Sequence, residues 1–346
     1  MDLSNLEKIL ATEPKYRLKQ AQEAVYKNFI SDWSEATFFT KNLRDKLNRE
    51  CSLEIEADLL ISKKEDSVKA RITLKDGFKI EAVLMRHKDG RNTVCVSSQV
   101  GCPLGCVFCA TGKMGFRRNL TTDEIIEQVI FFNRYLKASG SPTPADYKGV
   151  TNITYMGMGE PFLNYDNVLK SIRILNNKDF FNIGARSISV STSGIIEGIK
   201  KFSQEGLQIN LALSLHAPND KLRRSLMPID KKYPLEAVLK AVDDYIKETN
   251  RQVMFEYVLI KDVNDSDECA EELSRLMKKP LYYVNLILYN ATHSAGSGQA
   301  GVLKPSDTKR VEGFKAVLSK AKINFSQRYR FGDDINAACG QFATNK

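Results

Sequence analysis

The sharpest chemistry in this chain lies in Gly101-Cys-Pro-Leu-Gly-Cys-Val-Phe-Cys-Ala110, with thiols at 102, 106 and 109. Three soft thiolates on one Gly- and Pro-containing loop can wrap a single metal centre, and cysteines are the usual ligands of iron–sulfur clusters. Three ligands on a four-iron cube leave one iron open, able to bind a small molecule and pass it an electron. The plainer alternatives are a zinc site or three reduced core thiols. Structural zinc asks for four protein ligands, and the nearest extra candidates, His87 and Cys95, lie upstream without zinc-ribbon spacing.

Cysteines at 51, 95, 269 and 339 bring the total to seven. The N-terminus, MDLSNLEKILATEPKYR, has no basic segment leading into an apolar one, so a cytoplasmic protein without a structural disulfide framework is expected. Cys269, in a helical run, and Cys51, at a helix end, read as structural thiols.

The elements that must position these groups follow from periodicity. Ala21 to Ile30 and Glu35 to Glu50 carry spaced apolar residues among charges, so residues 1–50 read as a small helical accessory domain. Val68 to Leu74 and Phe78 to Leu84 alternate about the turn Lys75-Asp-Gly77. That is a hairpin signature, and 51–92 is read as a hairpin region in which Glu81 points to the polar side of its strand.

Thr121-Thr-Asp-Glu124 has capping-box form. Apolar β-rich segments recur at 151–157, 187–192, 208–215, 253–259, 282–288 and 323–329 with helical stretches between. Strand–helix repetition implies a parallel sheet, so 93–346 is expected to be a partial (β/α)6 barrel with function at the C-terminal ends of its strands; a doubly wound sheet is the alternative. Gly296-Ser-Gly-Gln-Ala-Gly301 fits a dinucleotide-binding spacing but runs on towards Pro305 without the expected acidic partner, and reads as a loop.

Of 346 residues, 42% are hydrophobic and 27% charged, which suits a globular chain with a sizeable core. The net charge of +9 suggests a polyanionic partner, nucleic acid or an anionic surface. No run approaches the length of a membrane span. Basic pairs at Arg117-Arg118, Arg223-Arg224 and Arg328-Tyr-Arg330 suit phosphate contacts, with nearby Tyr and Phe available to stack on bases.

The Cys-x3-Cys-x-Phe-Cys run resembles the signature of radical S-adenosylmethionine (SAM) enzymes, whose partial barrel matches the six strand–helix units. Cys95-Val-Ser-Ser-Gln-Val-Gly-Cys102, Gly157-Met-Gly-Glu-Pro161, Ser191-Thr-Ser-Gly194, Ser214-Leu-His-Ala-Pro218 and Ala337-Ala-Cys-Gly-Gln341 narrow the resemblance to the RlmN/Cfr family of RNA adenine methyltransferases. It runs in order from about Glu81 to Phe342.

The resemblance implies one 4Fe-4S cluster on Cys102, Cys106 and Cys109, and SAM as both methyl donor and radical source. Gly159, Glu160, Ser191, Ser214, Leu215, His216 and Asn290 match the family's SAM contacts. Cys339 matches the cysteine that carries the methyl group, Cys95 the thiol that resolves the RNA adduct through a disulfide, and Glu81 the proton acceptor. The implied substrate is adenine carbon 2 in 23S rRNA and tRNA, with carbon 8 as the alternative. A noncatalytic iron–sulfur RNA-binding protein is a more remote one. A flipped-out or single-stranded target adenosine, a low-potential electron donor such as flavodoxin, and a monomeric enzyme complete the expected setting.

Overall fold

Apolar, β-branched runs bounded by Gly, Asn and Asp become strands, and charged amphipathic stretches between them become helices. The computed structural model describes all residues except 2, 4, 140–148, 292–302 and 344–346, so the Gly296–Gly301 run lies outside the described residues. The chain opens with helices α1 (Leu6–Leu10), α2 (Tyr16–Tyr26) and α3 (Lys41–Glu50).

Two boundaries differ from expectation. The helix expected over 21–30 starts earlier and ends at Tyr26, because Phe29 takes a left-handed φ of 55°. The helix expected over 35–50 is broken: Asp32 caps a short turn at Trp33–Glu35, and Thr40 caps α3 afresh through Leu43 N. Trp33 is fully buried and its indole N–H donates to the carbonyl of Cys51 at 2.7 Å. This N-terminal core reaches Leu53 and packs on Ile126 and Ile130 of a later helix.

An antiparallel meander follows: β1 (Ala57–Ile61), β2 (Ser67–Thr73), β3 (Lys79–Arg86) and β4 (Asn92–Cys95). Next, β5 (Gln99–Gly101) pairs with β6 (Phe116–Asn119) across a loop containing α4 (Ala110–Met114). Helix α5 (Thr122–Ala138) starts with the expected capping box: Thr121 accepts from Glu124 N, and Glu124 accepts from Thr121 N.

The rest alternates: β7 (Asn152–Tyr155), α6 (Tyr165–Asn176), β8 (Ile188–Thr192), α7 (Ile196–Ser203), β9 (Asn210–Ser214), α8 (Asp220–Leu226), α9 (Leu235–Thr249), β10 (Val253–Leu259), α10 (Asp267–Leu276), β11 (Tyr282–Leu288), α11 (Thr308–Lys320) and β12 (Phe325–Gln327). One sheet takes the order β1-β2-β3-β4-β7-β8-β9-β10-β11-β12. From β4 onward every pairing is parallel.

Six strand–helix units are present, with a shifted frame. The first begins at β4, and the final segment, β12, is a closing strand. Residues at or just past the C-terminal ends of β7, β8, β9, β10 and β11, with Arg328 after β12, line one common cavity. A flat sheet could not bring them together, so the parallel run curls into a partial barrel.

Gly101 sits where the β5·β6 stem closes. Its φ is +74°, and a Cβ there would lie 1.8 Å from the carbonyl oxygen of Gly115. Gly101→Ala should therefore destabilise the fold by about 3 kcal/mol or more, seen as a thermal midpoint lowered by at least about 5 °C.

Candidate active site

The cysteine loop is a lariat. Its stem is β5·β6, tightened by Cys102 N donating to Gly115 O at 3.1 Å, and its middle is pinned by Val107 N on the carbonyl of Leu226. Burial pushes the Cys102 thiol up to about 12 and raises Cys106 and Cys109 as well, with proximity of the other thiols adding to the rise at Cys102 and Cys106. Three neutral thiols have little reason to share such a place, whereas bound metal would stabilise their thiolates.

Among the described residues no three His, Cys, Asp or Glu side chains converge on a single ion. In a four-iron cube each of three thiolates binds a different iron, so the sulfurs need not meet at one point.

The three cysteines line one cavity with Gly159, Glu160, Ser191, Ser214 and His216. Glu160 is almost fully buried; its two oxygens accept from Phe162 N at 3.1 Å and Ser193 N at 2.8 Å. These bonds aim the carboxylate and leave lone pairs for an ammonium or hydroxyl donor. Gly159 is required by the protein itself: at φ +99°, a Cβ would meet the Gln99 side chain at 2.5 Å. The hydroxyls of Ser191 and Ser214 lie 3.4 Å apart at adjacent strand ends.

His216 holds a left-handed φ of 58°, and its Nδ1 accepts from Val258 N at 3.1 Å. That bond fixes the neutral tautomer with hydrogen on Nε2. Burial lowers the pKa of the ring to about 3, assisted by Arg223. Unfolded His216 gains a proton near its ordinary 6.5 while the folded ring does not. The stability that burying the neutral ring confers is therefore complete above pH 6.5 and is lost as pH falls towards 3. Nitrogen-detected NMR at pH 5 should still show His216 neutral; a charged imidazolium there would refute this assignment.

Two expected cofactor contacts stand apart. Leu215 is wholly buried in the main core, with its backbone N–H on the carbonyl of Glu256. Asn290 lines a second, neighbouring cavity, where its amide donates to the carbonyl of Cys339 at 3.2 Å.

Cys95 also lines that second cavity, while Cys339, Met156, Ile287 and Arg328 line both. The Arg328 guanidinium donates to Cys339 Sγ at 3.4 Å and to Met156 Sδ at 3.6 and 3.7 Å. The Cys339 sulfur strengthens Arg328's hold on its proton, burial opposes this, and Glu256 and Cys95 contribute in the same sense as Cys339. Cys95 is buried and pushed up to about 12, chiefly by burial and next by Cys339. None of the seven cysteines is joined in a disulfide.

Sequence reasoning overlooked Glu256. It is buried on β10, one oxygen accepts from Asn285 at 2.8 Å, and the other has no partner while the residue lines the first cavity. Burial raises its pKa against the pull of Arg328 and Asn285. It was legible only as one acidic residue in an otherwise apolar strand.

Other expectations need correction. Glu81 faces no solvent: it is buried, since the C-terminal segment covers the polar side of β3. Cys339 is half-buried, and hydrogen bonds fasten the segment around it: Ala110 N donates to Gly340 O, Thr111 Oγ1 to Phe342 O, and Gln341 Nε2 to Ala291 O. Arg223 is fully buried, donating to Asp230 and to the carbonyl of Ser193, and Arg328 belongs to the thiols, so neither is a surface phosphate contact. Arg118 is paired with Asp76 and Glu124.

The partial barrel and the cysteine lariat at its mouth define a radical SAM enzyme, and the radical SAM superfamily signature matches residues 96–273. Enzymes of this superfamily use a 4Fe-4S cluster and SAM. The chain belongs to the RlmN family within it. It is 45% identical to the probable dual-specificity RNA methyltransferase RlmN of Dictyoglomus thermophilum, over 95% of this chain and 90% of that one. It is 41% identical to RlmN 2 of Protochlamydia amoebophila, over 96% and 89%. A radical SAM methyltransferase from Sphaerobacter thermophilus superposes with a TM-score of 0.90 at 41% identity, covering 99% of this chain and 97% of that structure.

Proposed function

We propose that this chain methylates carbon 2 of adenine in 23S ribosomal RNA and transfer RNA, with Cys339 as methyl carrier, Cys95 as resolving thiol and Glu81 as proton acceptor. The observation that carries the reading is the place of Cys339, in the wall shared by the cluster-side cavity and the cavity holding Cys95. One sulfur can therefore receive a methyl group on one side and meet a second thiol on the other.

Cys102, Cys106 and Cys109 hold the cluster, and Gly159, Glu160, Ser191, Ser214 and His216 surround SAM, with Leu215 and Asn290 supporting from behind and beside. When bound, the cluster and SAM together supply a methyl group and a carbon-centred radical, which adenine carbon 2 requires because it is too electron-poor to attack a sulfonium itself. Cys339 takes the methyl by attack on the sulfonium carbon, S-adenosylhomocysteine leaving. Arg328 donates to that sulfur at 3.4 Å, so its guanidinium is placed to steady negative charge that develops there during alkylation. Arg328→Met should slow alkylation of Cys339 by iodoacetamide by about tenfold, read by peptide mass spectrometry, with Arg328→Lys intermediate. Glu81 takes the proton from carbon 2, and Cys95 attacks the Cys339 sulfur that a methylene joins to the RNA: the S–C bond breaks, the methylene gains a proton to become the product methyl, and Cys95 and Cys339 are left as a disulfide.

Residues 1–50 serve as an accessory domain and 51–92 as the hairpin region beside the catalytic domain, 93–346. The enzyme acts as a cytoplasmic monomer with a low-potential flavodoxin-type donor. No helix among the described residues is long and apolar enough to cross a membrane.

The test is nucleoside mass spectrometry of unmodified rRNA and tRNA after anaerobic incubation with cluster-reconstituted protein, SAM and reductant. Appearance of 2-methyladenosine supports the reading. Appearance of 8-methyladenosine replaces it with carbon 8 chemistry, and SAM cleavage with no methylated adenosine refutes it.

A further inference from the structure

Lysine is among the residues least often buried, yet Lys69 on β2 is 5% exposed. Its ammonium lies 2.7 Å from Glu81 Oε2 and donates to the carbonyl of Asn336 at 3.0 Å. The same Glu81 oxygen accepts from the backbone N–H of Ala343 at 3.0 Å. The Lys69 ammonium also stands 5.7 Å from the ring centroid of Phe342. Cys339 lies midway between the two tethered residues, so a single ion pair grips both ends of the segment that carries it.

A buried ion pair is poor value for stability alone, because a well-packed apolar pair would serve as well. Breaking one partner leaves an uncompensated buried charge. The pair on β2·β3 is also diagonal: the residue directly opposite Glu81 is Arg71, and Lys69 reaches across from two positions away. The position it reaches is the one from which it can touch Glu81 and the C-terminal segment together.

We infer that Lys69 is a positioning residue, and that the Lys69–Glu81 pair is a latch which seats the Cys339 segment over the barrel mouth while Glu81 is ionised. The inference rests on the proposed role of Glu81 as proton acceptor for its catalytic meaning, but the latch itself does not. When Glu81 takes a proton from carbon 2, the carboxylate charge that binds Lys69 and Ala343 is neutralised. The proton moves from carbon to Glu81 Oε, the electron pair of the C–H bond stays with the base ring system, and the segment loosens at the step where the RNA must leave.

The groups facing Glu81 are few. Burial raises the pKa of Glu81, and Lys69, the Ala343 N–H of the C-terminal segment and Arg71 on β2 pull against it in favour of the ionised form. From the β4–β5 connection, the Ser97 hydroxyl donates to the Glu81 carbonyl and fixes its backbone.

The test uses the full chain with its cluster reconstituted, comparing Lys69→Met, Lys69→Arg and Ala343→Pro with the parent. Hydrogen exchange of the peptide spanning 336–343, measured before any RNA is added, should speed up about tenfold in Lys69→Met and in Ala343→Pro, and return near the parent rate in Lys69→Arg. The Ala343→Pro variant removes one amide donor without leaving a buried charge, so it tests the latch even if Lys69→Met fails to fold. Single-turnover release of RNA from its covalent adduct should show its acidic limb moved to higher pH in Lys69→Met and not in Lys69→Arg. Parent-like exchange in Lys69→Met or, if that variant does not fold, in Ala343→Pro overturns the inference, as does an unshifted pH profile in a folded Lys69→Met. Faster exchange together with full turnover by Glu81→Gln would uphold the latch and refute instead the role of Glu81 as the base.

Discussion

Cys339→Ala is expected to bind the cluster and SAM as the parent does, and to lower RNA methylation by a factor on the order of 10⁴ or more. The magnitude follows from the role: losing the covalent carrier removes a reaction route rather than weakening a contact. Selectivity for catalysis follows from the fold. Cys339 forms part of the cavity wall but is not one of the lariat thiols, and its main-chain ties run through its own carbonyl and those of its neighbours, which alanine retains. The check pairs iron and SAM-binding measurements with nucleoside mass spectrometry. A Cys339→Ala protein that still methylates RNA would remove the methyl-carrier role altogether.

Cys95→Ala should behave differently. In the proposed reaction the first half needs Cys339 and the cluster side only, so the variant should still alkylate the RNA and then stall. It should accumulate a covalent protein–RNA species visible as a shifted band in denaturing gels, with product release lowered by about 10³-fold or more. Burial pushes the Cys95 thiol up to about 12, so its surroundings must change before it can attack. Arg328, close to both sulfurs, is the group on hand to make that change. Release at the parent rate without any adduct would mean that Cys95 is only a core residue of β4.

The contrast between these residues marks what a sequence can disclose. The lariat cysteines were legible because three thiols in eight positions have few explanations, and the six parallel units because apolar runs at regular spacing have few ways to pair. The burial of Glu81 and Lys69 was not legible, since alternation along β2 and β3 separates two faces but does not say that both are covered. The covering comes from a segment more than two hundred and fifty residues later, which no local pattern reports. Arg328 and Arg223 failed for the same reason: a basic pair looks alike on a surface or beside a buried partner. Strand β1 escaped notice because Leu59, Leu60 and Ile61 are consecutive and largely exposed at a sheet edge, with no inward and outward rhythm to read. Gln99 stood in plain sight within the cysteine-bearing run, but its part, bonding Glu160 N and Asn119 to hold the mouth together, depends on the stem.

That stem has a consequence for the life of the cofactor. The main-chain bonds of β5·β6 involve no sulfur, so the ends of the cysteine loop remain joined whatever happens to the iron. The entropy of closing the loop is spent when the polypeptide folds, not when metal binds. Small metal-dependent domains work the other way and collapse when stripped. A chain stripped of iron should therefore keep the loop closed at its stem, so that refilling would start from a joined loop and not from an open one.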